Sequence, residues 1–258
     1  MKDVASLTIS EIEERLAAES VAQDFLDACQ KDSRSGVQRA WRRFQRAKAD
    51  RERVDALYAY EKEAQREGFA WIAGVDEAGR GPLAGPVVVA AVILPIGLYL
   101  PKINDSKKIS ANVREDLYER ICEKALALHC AIVDAETIDR VNIYQATVNG
   151  MYEAILALYP VPQKVLIDAV ELTKLPMPSL SIVKGDAKSA SIAAASIIAK
   201  VTRDRLMAQY DTQYPAYGFA QNKGYGTAQH LAALRKYGAC PLHRRSFEPV
   251  QEVLPPRR

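Results

Sequence analysis

Asp76 and Glu77 stand at the mouth of a glycine-rich turn, Ala73-Gly74-Val75-Asp76-Glu77-Ala78-Gly79-Arg80-Gly81-Pro82-Leu83-Ala84-Gly85-Pro86. Carboxylates can ligate a hard cation, and glycines without Cβ atoms let main-chain N–H groups approach a ligand. The two together meet the requirements of metal-assisted phosphate chemistry. Arg80 adds a planar donor fork suited to a phosphate. Two further acids join the set: Asp168 closes the apolar run 164–168, and Asp186 precedes a long Ala/Ile-rich stretch. Four acids in one place repel unless divalent cations neutralise them, and oxygen ligands without His or Cys favour Mg²⁺ or Mn²⁺. Singly, these acids read as a loop carboxylate, a strand-end turn residue and a helix cap; their joint placement moves the balance toward metal binding.

Other phosphate loops fit worse. The Gly-Lys-Ser/Thr ending of a nucleotide-triphosphate loop is missing, and Gly79, Gly81 and Gly85 are spaced one residue too widely for the dinucleotide fingerprint.

The flanking runs 69–75 and 87–94 are rich in β-branched residues and bounded by Gly and Pro, which predicts buried strands. Side chains alternate along a strand, so Asp76 and Glu77 can share one ion only if the strand ends or distorts there, and Gly79 and Gly81 supply such a break. Residues 126–133 predict a third strand, 143–158 a helix, 164–168 a strand, 180–183 a short strand, 189–210 a long helix and 227–237 a further helix. Three strands, antiparallel, followed by alternating helix and strand predict an α/β mixed sheet with flanking helices. In an open sheet of this kind ligands gather at strand ends, where Asp76, Glu77, Asp168 and Asp186 are expected to meet.

The 258 residues, 48% apolar, suffice for one large domain with an appendage. Net charge is only +3, but residues 31–54 hold nine Lys/Arg against three Asp/Glu, so the positive charge is localised. Cys29, Cys122, Cys130 and Cys240 are scattered, without the pairing of a zinc site, and read as reduced and structural. No apolar leader opens the chain and no stretch approaches the ~18 apolar residues that span a bilayer, so a cytoplasmic enzyme without membrane contact is expected.

The chain divides near residue 68. Thr8 to Glu11 has the form of a capping box, and Ile12, Leu16, Val21 and Phe25 keep approximate helical spacing, which predicts a first helix. A polar break at 31–36 leads into a second helical stretch, 37–66, the two forming a helical hairpin. Its Arg39, Arg42, Arg43 and Arg46 form a basic face that is either solvated or laid along a phosphate backbone. The expected organisation is a helical N-terminal extension over 1–68, a catalytic domain over 69–215, and a C-terminal helical segment over 216–258 that packs on it and contributes to substrate binding.

The segment Gly74-Val75-Asp76-Glu77-Ala78-Gly79-Arg80-Gly81-Pro82-Leu83-Ala84-Gly85-Pro86 resembles the signature of ribonuclease HII. So do Asn104-Asp105-Ser106-Lys107-Lys108, Lys184-Gly185-Asp186-Ala187-Lys188 with residues 194–200, residues 222–227 with His230, and residues 243–247. The blocks run in family order from about 70 to 248, and the first resembles type HII more than type HIII. The N-terminal 68 residues depart from the minimal family pattern.

The resemblance implies an RNase H-like fold and endonucleolytic cleavage of RNA in RNA–DNA hybrids, including single ribonucleotides in duplex DNA, the substrates of ribonucleotide excision repair. It implies Asp76, Glu77, Asp168 and Asp186 as the catalytic carboxylates. Gly79, Arg80 and Gly81 match the loop that reads the ribose 2′-hydroxyl, and Tyr225 matches a tyrosine that stacks at the RNA–DNA junction. Lys107, Lys108 and Lys188 are weaker candidates for phosphate contacts. Two divalent ions roughly 3.5–4 Å apart would flank the scissile phosphate, and the resemblance implies a cut 5′ to the ribonucleotide that leaves 3′-hydroxyl and 5′-phosphate ends. His230 and His243 read as structural, and the protein as a monomer. The competing readings are a DNA nuclease of resolvase or transposase type on the same fold, and a non-catalytic nucleic-acid-binding module.

Overall fold

A computed structural model describes residues 4–18 and 20–254; the first three residues, on which the expectation about a leader partly rests, lie outside them. The chain forms two compact units, residues 1–56 and 57–258.

The first unit holds α1 (Ile9–Leu16), α2 (Gln23–Lys31) and α3 (Ser35–Ala56). The Thr8 side chain accepts from Glu11 N–H while the Glu11 carboxylate accepts from Thr8 N–H, the reciprocal capping box that the sequence predicts. The single first helix expected through Phe25 is instead two helices. Leu16 and Val21 are five positions apart, which leaves one helical stripe, and the break lets Ile12 and Leu16 of α1 share a core with Cys29, Val37 and Ala40. Arg34 fastens the turn before α3, donating to the Val4 and Leu7 carbonyls and pairing with Asp32 at 2.7 Å. Arg39, Arg42, Arg43 and Arg46 are exposed on α3, and Arg43 pairs with Glu13.

The second unit opens with α4 (Ala59–Arg66), followed by β1 (Ile72–Ala78), β2 (Val87–Ile93), α5 (Ala111–Lys124), β3 (Ala127–Val133), α6 (Ala135–Val141) and α7 (Ile143–Leu156). Then come β4 (Lys164–Asp168), β5 (Ser179–Ile182), the long α8 (Ala190–Gln213), the short α9 (Phe219–Asn222), α10 (Ala228–Tyr237) and α11 (Glu248–Gln251). The helix expected over 37–66 is interrupted at Leu57 and Tyr58. Both are buried, and the Tyr58 hydroxyl donates to the Leu98 carbonyl at 2.9 Å. The unit boundary therefore falls at 57, ahead of α4, where composition alone placed a change near 68.

The sheet order is β3-β2-β1-β4-β5. β1, β2 and β3 pair antiparallel and β1, β4 and β5 run parallel, so this is a mixed sheet. β2 is buried along its whole length because helices cover both faces of the sheet. On one face Ala73, Val75, Val89 and Ile167 pack with Met151, Ala154 and Ile155 of α7. On the other, Ile72, Leu166 and Ile182 pack with Ile192 of α8 and Ala64 of α4. The approach of α8 depends on Gly74, where an added Cβ would lie 2.1 Å from the Ser191 carbonyl carbon. Among the described residues no helix is long and apolar enough to cross a membrane.

Candidate active site

Parallel pairing puts the ends of β1, β4 and β5 at one edge of the sheet. The β1–β4 register ends with Val75 opposite Ile167, so Asp76 and Asp168 are the next residue on each strand. Asp168 is opposite Ile182, the end of β5. The chain then turns through Lys184 in the left-handed region (φ 58°) into a one-turn 3₁₀ helix, Gly185–Ala187, which brings Asp186 back beside Asp168. The Gly185 N–H donates to Asp168 Oδ1 at 2.7 Å.

The strand distortion expected at the acids is absent. β1 stays paired with β2 through Ala78 opposite Val88, because the antiparallel ladder is satisfied that far, and the break comes at Gly79 (φ 98°). Asp76 and Glu77 thus leave opposite faces of a regular strand. Neither has a β4 residue paired to it, so that edge is open and the Asp168 charge reaches both.

The electrostatics are those of crowded acids in a dry place. Burial, then the charges of Glu77 and Asp168, push the Asp76 carboxyl well above its ordinary value, against hydrogen bonds from the Ser196 hydroxyl and the Glu77 N–H. Burial also raises Glu77, with Arg80 pulling the other way. Asp186 is raised by burial, then by Asp105 and Asp168. Glu77 Oε2 is buried without a hydrogen-bond partner. Among the described residues no three of these groups stand together as a ready-made ion cage. A buried, unpartnered carboxylate oxygen beside carboxyls whose ionisation burial and mutual repulsion oppose fits a hard divalent cation, since the cation would remove the repulsion and satisfy the orphaned oxygen.

Beside the acids lies a cleft of about 260 Å³, lined by Glu77, the Gly79-Arg80-Gly81 turn, Lys107, Lys200 and Tyr225 among others. At Gly79 an added Cβ would sit 2.0 Å from Arg203 Nε, so both the backbone conformation and the space require glycine. Tyr225 is half exposed, and its ring edge is 3.8 Å from where a Gly81 Cβ would be. Arg80 Nη1 is 3.3 Å from Glu77 Oε1. Of the three lysines singled out from sequence, Lys107 lines the cleft, Lys108 lies 3.5 Å from Asp105, and Lys188 is exposed on the turn of Asp186, outside the cleft lining.

Sequence reasoning missed four residues here. Asp105 is a fifth acid, whose charge acts on Asp186; it belongs to the Asn104-Asp105-Ser106-Lys107-Lys108 block, where the lysines are the residues whose type suggests a phosphate. Lys200 faces the cleft from α8 and bonds Asp204 at 2.7 Å. Arg203 and Arg244 are at most 1% exposed and donate to backbone carbonyls around the turn. Arg203 had a legible signal, a charge between Ala199 and Met207 on the buried stripe of a helix. Arg244 had only its place in the 243–247 block, which does not tell it from Arg245, exposed beside it. His230 and His243 are buried and outside the cleft lining.

Known proteins share this arrangement of sequence and fold. The family model described as Ribonuclease HII matches residues 73–250, and the one described as Ribonuclease HII N-terminal domain matches residues 8–65, so the segment that departs from the minimal pattern has a family counterpart of its own. The chain is 48% identical over 258 residues to the Ribonuclease HII of Desulfitobacterium hafniense, covering 98% of this chain and 99% of that one. It is 50% identical over 256 residues to the Ribonuclease HII of Enterococcus faecalis, covering 97% and 100%. Among solved structures it resembles the ribonuclease H2 of Pyrococcus horikoshii OT3, with a TM-score of 0.63 and 26% identity over 71% of this chain and 97% of that one.

Proposed function

Since the chain belongs to the ribonuclease HII family of metal-dependent nucleases acting on RNA–DNA hybrids, we propose that it also cuts duplex DNA at single embedded ribonucleotides. The cut falls on the 5′ side of the ribonucleotide and leaves 3′-hydroxyl and 5′-phosphate ends. The observation that supports this reading is that Asp76, Glu77 and Asp168 lie at one strand-end edge with Asp186 on the turn after β5, beside a glycine turn with a tyrosine across from it.

Asp76, Glu77, Asp168 and Asp186 would hold two divalent ions, Mg²⁺ or Mn²⁺. Bound there, these would lower the pKa of an attacking water and offset charge on the scissile phosphate. Around them the chain's own groups select the substrate. The amides of the Gly79-Arg80-Gly81 turn read the 2′-hydroxyl, the atom that separates RNA from DNA. The Tyr225 ring stacks against the sugar–base face at the junction. Lys107 meets a phosphate from the cleft wall, and Lys108 and Lys188 add charge at its margin. Arg80, turned toward Glu77 in the free protein, exchanges that carboxylate for a phosphate oxygen when substrate arrives.

In this reading residues 216–258 contribute to substrate binding through Tyr225, and the exposed arginines of α3 add sequence-independent duplex affinity. The protein acts as a monomer in the cytoplasm, in keeping with four free cysteines. The test is cleavage of three duplexes that differ at one strand: all DNA, DNA with one ribonucleotide, and an RNA–DNA hybrid, each with Mg²⁺ or Mn²⁺ and with the cut mapped. The expected result is cutting of the second and third only, 5′ to the ribonucleotide. Equal cutting of the all-DNA duplex would assign the site to a DNA nuclease instead.

A further inference from the structure

Resting on that reading, we infer that His243 and Arg244 are positioning residues that together fasten the two walls of the ribonucleotide cleft, Arg244 holding the Gly79-Arg80-Gly81 turn and His243, through His230, holding Tyr225. The segment they belong to is pinned first by its backbone. Ala84 and His243 form an antiparallel bridge, the Arg244 N–H donates to the Leu83 carbonyl at 2.8 Å, and the Gly85 N–H donates to the Leu242 carbonyl at 2.8 Å.

From that anchor the Arg244 guanidinium reaches into the turn. Nη1 donates to the Arg80 carbonyl at 2.8 Å, Nη2 to the Gly79 carbonyl at 2.5 Å, and Nε and Nη2 to the Gly85 carbonyl at 3.0 and 2.9 Å. No carboxylate pairs with it among the described residues, although it is fully buried. Burying this cation is costly and the neighbouring charge of Arg203 adds to the cost, while Asp139 offsets part of it by its charge without a direct hydrogen bond. What the arrangement secures is orientation. With the carbonyls of Gly79 and Arg80 drawn inward to the guanidinium, their side of the turn is held in one conformation.

His243 works on the other wall through a hydrogen-bonded chain whose direction is forced. The Cys240 N–H can only donate, so His243 Nδ1, 3.0 Å away, accepts and its proton sits on Nε2. That proton is donated to His230 Nε2 at 3.0 Å, so His230 carries its own proton on Nδ1 and donates it to the Tyr225 carbonyl at 2.9 Å. Tyr217 and Phe219 box the two rings, at 4.8 Å from His243 and 5.5 Å from His230, and exclude water. Each imidazole is thereby locked into one tautomer, and the chain ends on the backbone of the residue whose ring faces the cleft.

The experiment is a double-mutant cycle on the embedded-ribonucleotide substrate. His243→Asn keeps an acceptor for Cys240 but is too short to reach His230; Arg244→Lys keeps the charge but cannot span three carbonyls. Each is expected to lower kcat/KM at least 10-fold while the rise in Tm on adding Mn²⁺ stays at the wild-type value. In a Tyr225→Ala background His243→Asn should have less than a 2-fold effect, whereas Arg244→Lys should keep its full effect. Should His243→Asn fail to fold, His230→Asn, which keeps the donor to Tyr225 but breaks the link between the histidines, replaces it in the same cycle. Effects of His243→Asn that multiply with those of Tyr225→Ala, or single variants within 3-fold of wild type, overturn the inference. A wild-type protein that cuts no ribonucleotide substrate would instead sink the functional reading beneath it.

Discussion

Asp76 is 5% exposed and crowded by two other carboxylates, so its charge opposes the metal-free fold. Its folded-state pKa lies above the ordinary 3.8, and such a group contributes stability below that value which is lost as pH rises through the folded value. The contribution of Asp76 to the metal-free fold should therefore be lost as pH rises above 4. Asp76→Asn should flatten that dependence and raise Tm at neutral pH, by about 2–4 °C for each kcal/mol released, while abolishing cleavage. Melting curves at several pH values in EDTA check this, and a lowered Tm at neutral pH would mean that the acid holds the fold together. His243 runs in the opposite sense. Burial, then the facing His230, lowers it from 6.5 to about 4. The unfolded chain thus takes up its proton first as pH falls, and the native state loses stability between pH 6.5 and about 4. His243→Asn should shrink that loss, read from urea midpoints at pH 7 and pH 4.5.

At the scale of elements, the site depends on how α8 is seated. Its N-terminus is capped by Ser189, whose side chain accepts from the Ile192 N–H. Glu61 of α4, buried to 1%, accepts from the Ser189 hydroxyl at 2.6 Å and from the Ser191 N–H at 2.9 Å. A carboxylate at the positive end of a 24-residue helix is favourably placed, and it fixes the register of the helix that carries Ser196, Lys200 and Arg203. Glu61→Ala should destabilise the protein by about 2–3 kcal/mol, since it leaves two donors buried and unpaired. Gly74→Ala should be worse, because the new methyl would meet backbone and not a flexible side-chain end; a loss of about 3 kcal/mol or more is expected. Chemical denaturation of both variants, with kcat measured on the folded fraction, separates lost fold from lost chemistry.

For the whole molecule, the division at 57 decides how the N-terminal unit should be removed. Cutting at 68 would take Tyr58, Glu61 and Ala64 out of the sheet-bearing unit, all of them buried there, and would confuse lost stability with lost binding. Deleting residues 1–56 removes the basic α3 and leaves α4 in place. If the exposed arginines touch phosphates, KM should rise and the slope of log KM against log salt should flatten by about one for each phosphate no longer neutralised, with kcat largely spared. An unchanged salt slope would assign those arginines to solvent.

The five strands, the mixed sheet, the long helix after Asp186 and the acids at the ends of apolar segments were legible in the residues alone, because these rest on local signals: β-branched runs, caps, glycines, and carboxylates closing apolar runs. Asp76, Asp168 and Asp186 could be paired in thought because strand ends in such a sheet meet at an edge. The remainder depended on contacts between segments distant along the chain. They kept β1 regular through Glu77, divided the helices of the N-terminal half, and made Asp105 a neighbour of Asp186. They also set Arg244 apart from Arg245, its neighbour of the same type in the sequence. Burial of a charge is a property of what folds over it. A guanidinium that solvates a turn and one that is itself solvated by water are the same letter until distant segments such as 79–85 and 240–244 are brought together.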